Sequence, residues 1–267
     1  MTDMAHRARV ALPTQLLFGL PLHAATVVDA VAACSAALRD RRRMLVGVLN
    51  AAKVVNLRSD PLLRDSLLDC DLLLADGQSV VWASRVLRRP LPERVAGIDL
   101  FVALLELAET EGRSVYLLGA REDVLHTLVE RLQERYPRLR IAGARDGYFT
   151  ADEASAVARD IRNSGADMLF LGMVSPKKEI FLAEQCRQLA VPVLHGVGGS
   201  FDVLAGVTRR APELWQRWGM EWAYRFLQEP RRMWRRYLRT NSLFVLMLLR
   251  ELLRPSTPLR RGEHPTS

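Results

Sequence analysis

Cysteine is scarce: Cys34, Cys70 and Cys186 are the only three in 267 residues, isolated and odd in number. That excludes a disulfide framework and a Cys-x-x-Cys metal knuckle, and it fits a reducing compartment. The five histidines, His6, His23, His126, His195 and His264, offer no pair spaced to place two ligands on one helix face. No protein-built metal site is therefore expected. Long apolar runs are also lacking. LFVLMLL, residues 243–249, is the longest near the C-terminus, far short of the roughly 20 residues that span a bilayer. The N-terminus mixes Asp3, His6, Arg7, Arg9 and Pro13 before any apolar run and does not read as a signal peptide. Nucleotide fingerprints are missing too. GVGGSFDVLAG (196–206) has no Gly-Lys-Ser or Gly-Lys-Thr and does not match G-x-G-x-x-G, and LNAAKV follows the first strand candidate. Both absences argue against a dinucleotide-dependent oxidoreductase.

Hydrophobic residues make up 49% of the chain, enough for a real core, and the formal charge is +8 with a pI near 10.0. Such a balance favours an anionic partner: nucleic acid, a phosphorylated substrate or an acidic lipid surface. Short apolar runs alternate with helix-period segments from about 25 to 205. The strand candidates are MLVGVL (44–49), DLLLA (71–75), SVYLLG (114–119), RLRIAG (138–143), DMLFLG (167–172) and VPVLHG (191–196). Between 121 and 135, Val124, Leu125, Leu128, Val129 and Leu132 recur at helical spacing. The pattern predicts an α/β fold, a Rossmann-like and mostly parallel sheet flanked by helices.

Composition changes after residue 206. Nine arginines and four of the five tryptophans fall between 209 and 239 against three acids, which leaves that segment at +6. Trp215, Trp218, Trp222 and Phe226 share one helical face. The expected division is an α/β catalytic domain over 1–205, a helical arginine- and tryptophan-rich appendage over 206–254, and a disordered proline-containing tail over 255–267.

Candidate site residues follow from position. LLLADGQS, residues 72–79, runs an apolar strand into Asp76 and Gly77, and open α/β sheets bind ligands outside the carboxyl ends of their strands. Asp76 reads either as an N-cap of the next helix or as a base facing a substrate. Val80, Val81 and Trp82 read as packing. In LPERVAGIDL (91–100), Arg94, Gly97 and Asp99 read as a polar loop with a helix cap at Asp99 or as a substrate contact. VSPKKE (174–179) puts Lys177 and Lys178 in the first turn of a helix, where cations oppose the helix dipole unless an anion is held there. Gly119 and Gly172 close strand candidates, and Gly198 and Gly199 belong to the glycine-rich stretch before Asp202.

Together LNAAKV, ADGQSVVWA, ERVAGIDL, GMVSPKKE, GVGGSFDVLAGVTRRAPE and GMEWAYRFLQEPRRMWRRYL resemble, in order and approximate spacing, the WecG/TagA/CpsF glycosyltransferases, over about residues 18–240. The resemblance implies an inverting transfer, without metal or other cofactor, from a UDP-sugar to a lipid-linked diphosphate acceptor at the cytoplasmic membrane face. It implies Asp76 as general base. Arg225, Arg231 and Arg232 match arginines that stabilise the departing diphosphate, with Arg209 and Arg210 nearby. Asn50 and Arg94 match pocket positions, and Gly77, Gly97, Asp99, Pro176, Lys177, Glu179 and Asp202, in the matched motifs, are expected to bind substrate with Gly119, Gly172, Gly198 and Gly199. Two departures stand out: Val48 occupies a position that is threonine in many members, and Lys178 one that is glutamine. Nucleic-acid binding would explain the charge but not the Asp-Gly turn, and a membrane scaffold would explain the basic segment alone. Nucleic acid is therefore not among the expected partners.

Overall fold

The computed structural model describes residues 12–212, 214–215, 223–224 and 230–262, with side chains at 230–238 outside the description. A short hairpin comes first, β1 (Thr14–Leu17) and β2 (Leu20–His23). Then follow α1 (Val27–Arg39), β3 (Met44–Leu49), α2 (Ala51–Asn56), α3 (Pro61–Leu68), β4 (Leu72–Ala75), α4 (Gln78–Val86) and α5 (Gly97–Glu111). β5 (Ser114–Gly119), α6 (Glu122–Arg135), β6 (Arg140–Arg145), α7 (Ala154–Asn163), β7 (Met168–Gly172) and α8 (Lys177–Leu189) come next. β8 (Val193–Gly196), α9 (Ser200–Leu204) and a long C-terminal helix, here α10 (Pro230–Leu253), complete the described elements.

Six strands form one parallel sheet in the order β4-β3-β8-β7-β5-β6. All six strand candidates are present; β6 begins two residues later than RLRIAG suggests. The hairpin was not foreseen. β3 leads to β4 on one side, and the chain returns from the other side to lay β8 against β3, so the order reverses between β3 and β8. Such a reversal opens a crevice at the carboxyl ends of the strands.

The core follows strand alternation. Val46, Val48, Val115, Leu117, Met168, Phe170 and Val193 face α1, α5 and α6, while Leu45, Leu118, Leu169, Leu171 and Leu194 face α7 and α8. Phe101 of α5 stacks tilted on Phe170 and Phe201, at centroid distances of 4.6 and 5.7 Å. Each such pair adds about 1 kcal/mol beyond the area it buries. Leu49, Leu73 and Ala75 pack with the hairpin, α2, α3 and α4 in a third cluster that also takes Phe244 of α10. On α4, Val80 and Val81 are buried as expected, but Trp82 is 48% exposed. It falls on the outer face of its helix, one residue past the inward pair.

Past α10, the Leu259 N–H donates to the Gly19 carbonyl at 2.8 Å, and Arg261 reaches Asp69 at 3.1 Å. Among the described residues, no helix is long and apolar enough to cross a membrane.

Candidate active site

The crevice is built by residues that follow β3, β4, β7 and β8. Asn50 follows β3 and caps α2, its Oδ1 accepting from the Lys53 N–H at 3.1 Å. Its Nδ2 donates to Oδ2 of Asp76 at 3.4 Å. One short side chain thus starts a helix and aims a carboxylate.

Asp76 is half-buried just past β4, with its own N–H donating to the Leu49 carbonyl at 2.9 Å. It does not cap α4: Gly77 is the N-cap there, and no side-chain cap bond forms. Instead Oδ1 accepts from the Gly97 N–H at 3.0 Å. Gly97 is the first residue of α5, whose N-cap residue Ala96 supplies no side-chain cap. Asp76 therefore serves the N-terminus of a helix 21 residues away, where the helix dipole favours its negative charge. The expectation of a cap was right in kind and misplaced in partner. Asp99, read from sequence as a possible cap, lies inside the first turn of α5.

The loop between α4 and α5 is pinned by three bonds. The Leu91 N–H donates to the Ser84 hydroxyl at 3.0 Å, the Val95 N–H to the Ala75 carbonyl at 2.8 Å, and the Val27 N–H to Glu93 at 2.7 Å. That fixes Arg94 near the start of α5, where its guanidinium lies 3.8 Å from Asp99. Arg210 approaches the other oxygen of Asp99 at 2.6 Å. Arg94, Asp99 and Arg210 thus form one ion cluster beside Gly97, while Arg209 is exposed.

Four more groups are coupled to Asp76 or to one another: Lys178 and Glu179, which the sequence had marked, and His195 and Lys53, which it had not. His195 on β8 is fully buried, its Nε2 3.1 Å from the Gly97 carbonyl and its Nδ1 3.4 Å from the Val46 carbonyl. Burial brings its pKa down to about 4 against the opposing effect of both carbonyls, so the ring is neutral and donates through one nitrogen. The shorter distance assigns that proton to Nε2. Gly97 is consequently gripped at both ends, N–H to Asp76 and carbonyl to His195. Lys53 donates to the Val48 carbonyl at 2.7 Å. Desolvation, then repulsion from Lys178, draws its ammonium down to about 8, against Asp76 and Glu179. Lys178 lies along Gly196, with Nζ 3.3 Å from Oε1 of the buried Glu179. Burial works against the Glu179 charge, but Lys178, Ser175, its own backbone N–H and Lys53 together hold its carboxyl below the usual range. A signal existed for Lys53: it stands three residues after Asn50, one turn into the same helix.

Other anticipated residues lie elsewhere. Lys177 turns away from Asp76; its ammonium donates to the Gly147 and Phe149 carbonyls, both at 2.7 Å, and sits 4.5 Å from the Phe149 ring centroid. Pro176 precedes α8 after a cis bond from Ser175. Gly119 and Gly172 lie side by side on β5 and β7, and a Cβ at Gly119 would collide with the Gly172 backbone. Phe201 fills the space over Gly172. Their absent side chains let strand ends and an aromatic ring close up, a packing role beside the substrate-binding one expected from the sequence. Gly198 and Gly199 form the turn from β8 into α9, and Asp202 is half-buried in the first turn of α9. Arg225 lies outside the described residues, and so do Trp218, Trp222 and Phe226. Arg231 and Arg232 fall in the first turn of α10, with side chains outside the description. Among the described residues, no group of three or more His, Cys, Asp or Glu side chains is arranged to hold a metal ion.

The glycosyl transferase WecG/TagA/CpsF family matches the chain over residues 15–258. The chain belongs to that family. A WecG/TagA/CpsF protein is a glycosyltransferase of cell-surface polysaccharide synthesis, which takes a sugar donor and a lipid-linked acceptor. The matched span takes in both the crevice and α10.

Proposed function

We propose that this WecG/TagA/CpsF glycosyltransferase moves a sugar from a UDP-sugar to a polyprenyl-diphosphate-linked acceptor by single displacement, with Asp76 as the base. The observation that carries the reading is the Asp76 carboxylate. It is held by Gly97 and Asn50 at the carboxyl end of β4, where an open α/β sheet presents its ligand crevice. The acceptor oxygen bonds to the anomeric carbon, its proton passes to Asp76, and the bond from that carbon to the diphosphate breaks with the electron pair leaving on UDP. One displacement inverts the anomeric configuration. A positioned base of this kind contributes about a hundred- to ten-thousand-fold in rate.

The charge that develops on UDP is offset by cationic side chains, with no metal required: Arg225, Arg231 and Arg232 of the appendage, near Arg209 and Arg210. The appendage, residues 206–254, is assigned to close over the catalytic domain of 1–205 and to hold the enzyme peripherally on the inner face of the cell membrane. Asn50, Arg94 and the Asp99 cluster are assigned to sugar or acceptor recognition, with Gly77, Gly97, Gly198, Gly199 and Asp202 lining the same crevice. Gly119, Gly172, Pro176, Lys177 and Glu179 support its walls. Val48 and Lys178 stand where many members carry threonine and glutamine, so the sugar itself is read from a screen of UDP release over several UDP-sugars with lipid-linked acceptors. With the donor so found, Asp76→Asn retains a native circular-dichroism spectrum and loses turnover by a hundredfold or more. Near-normal turnover in that variant sinks the base assignment, and activity that vanishes with chelator and returns with magnesium sinks the metal-free one.

A further inference from the structure

Two lysines, Lys53 and Lys178, feel one another's charge, Lys53 also feels that of Asp76, and the displacement described above uses neither. Lys53 comes from the first turn of α2 and Lys178 from that of α8. Like charges in one partly desolvated site repel, and they persist only where anions offset them. The anions that face them are Asp76 past β4 and Glu179 on α8. Among the described residues, the other groups coupled to these lysines include His195 on β8, which is neutral, and the Cys70 thiol before β4, which burial pushes up to about 12, with Asp71 and Asp69 beyond it. These four groups balance at rest, two cations against two carboxylates.

That balance changes during the reaction. When the acceptor proton moves onto Asp76, one negative charge disappears from the cluster and one cation is left uncompensated. In the same step the breaking bond places negative charge on the diphosphate. We propose that Lys53 is a positioning residue whose charge Asp76 masks at rest and unmasks as Asp76 takes the proton, so that the site gains positive charge when the leaving group gains negative. Such an interaction is stronger in the transition state than in the ground state, and it appears in kcat rather than KM. It rests on the reading of Asp76 as base.

The donation from Lys53 to the Val48 carbonyl fixes its ammonium at the end of β3, beside the Asn50 that aims Asp76. With its proton lost near pH 8, Lys53 holds the unmasked charge below that pH and not above it. The sign follows: turnover falls as pH rises through about 8.

Two measurements on the full chain test this. The first is a 13C NMR titration of the Lys53 ε-carbon, identified by its absence from Lys53→Met, in wild type and in Asp76→Asn. Removing the Asp76 charge lowers the Lys53 midpoint by about one unit; an unmoved midpoint means that the two charges are not coupled and overturns the inference. The second follows UDP release against pH with the donor found by the screen. Lys53→Met lowers kcat at least tenfold with KM within about twofold. Lys53→Arg, which keeps a charge at all working pH values, restores turnover and removes the decline near pH 8. A merely structural lysine would scale the whole profile without moving that limb. Failure of the base assignment shows as turnover in Asp76→Asn, whereas failure of this inference shows as an unchanged Lys53 midpoint in an inactive Asp76→Asn.

Discussion

At the scale of single residues, the site depends on one backbone unit held at both ends. Gly97 gives its N–H to Asp76 and its carbonyl to His195, so a buried neutral imidazole on β8 fixes where α5 begins. His195 was legible as part of a strand candidate but not as a support, because its partners are carbonyls 98 and 149 residues away in sequence. Asp76 was legible because a carboxylate after an apolar run is rare and its place at a strand end is set by topology. That its bond goes to α5 was not, since helix caps are usually local and this one reaches across a loop. The imidazole has a pH consequence. Its folded-state pKa, about 4, lies below the ordinary 6.5, so the unfolded chain binds a proton that the native ring refuses. The stabilisation is complete above pH 6.5 and is lost as pH falls toward 4. The loss is on the order of 3 kcal/mol. Urea unfolding of wild type and His195→Gln at pH 7.5 and 4.5 should show a steeper decline in the wild type, because glutamine keeps a donor for Gly97 without the protonation. Parallel declines would assign the acid sensitivity to other groups.

At the scale of elements, the sheet was readable and the hairpin was not. Buried parallel strands are continuous apolar runs, which is why β3, β4, β5, β7 and β8 were visible within a residue or two. β6 is an edge strand with a register shift opposite Val115 and Tyr116 and no fully buried position, so its boundary slid. The hairpin escaped because its two turn residues are Phe18 and Gly19, both at positive φ (53° and 80°), where Asn-Gly is the recognised signal. Phe18 tolerates that backbone because its ring is buried against Phe244 of α10, with centroids 5.5 Å apart. A partner more than two hundred residues away thus decides a local turn. Around it, Arg89 donates to the Leu16 carbonyl and lies 3.7 Å from the buried Glu251, which accepts from Ser256. The hairpin, α2 and α10 should consequently loosen together. Phe244→Ala removes the ring that holds Phe18, at a cost of about 3–5 kcal/mol for a buried aromatic. Hydrogen exchange followed by mass spectrometry should show faster exchange in residues 14–23 and 240–253, with β5 and β7 unchanged. Uniform acceleration across the sheet would mean that α10 belongs to the main cooperative unit.

At the scale of the whole molecule, charge is distributed unevenly: the segment 209–239 carries nine arginines against three acids. The same end of the chain presents apolar side chains. On α10, Phe244 points inward, while Leu246, Leu249 and Leu253 are 63%, 53% and 82% exposed. A chain that is basic along one segment and carries exposed apolar side chains along the next suits an interface where lipid headgroups meet acyl chains. Electrostatic attraction to acidic lipid is worth about 1 kcal/mol per arginine near the surface. Replacing Arg231, Arg232, Arg235 and Arg236 by glutamine removes four charges, and an additive effect of about 4 kcal/mol corresponds to a roughly thousandfold weaker partition. Sedimentation with vesicles of phosphatidylglycerol and phosphatidylcholine measures it directly. The expected result is that wild type pellets at low salt and is released as salt screens the charges, whereas the four-glutamine variant stays in the supernatant with its circular-dichroism spectrum intact. Leu246→Ser with Leu249→Ser weakens binding by a smaller factor that salt does not alter, which separates the apolar contribution from the charged one. Unchanged pelleting of the four-glutamine variant would exclude these four arginines as the membrane contact and leave Arg231 and Arg232 to the departing diphosphate alone.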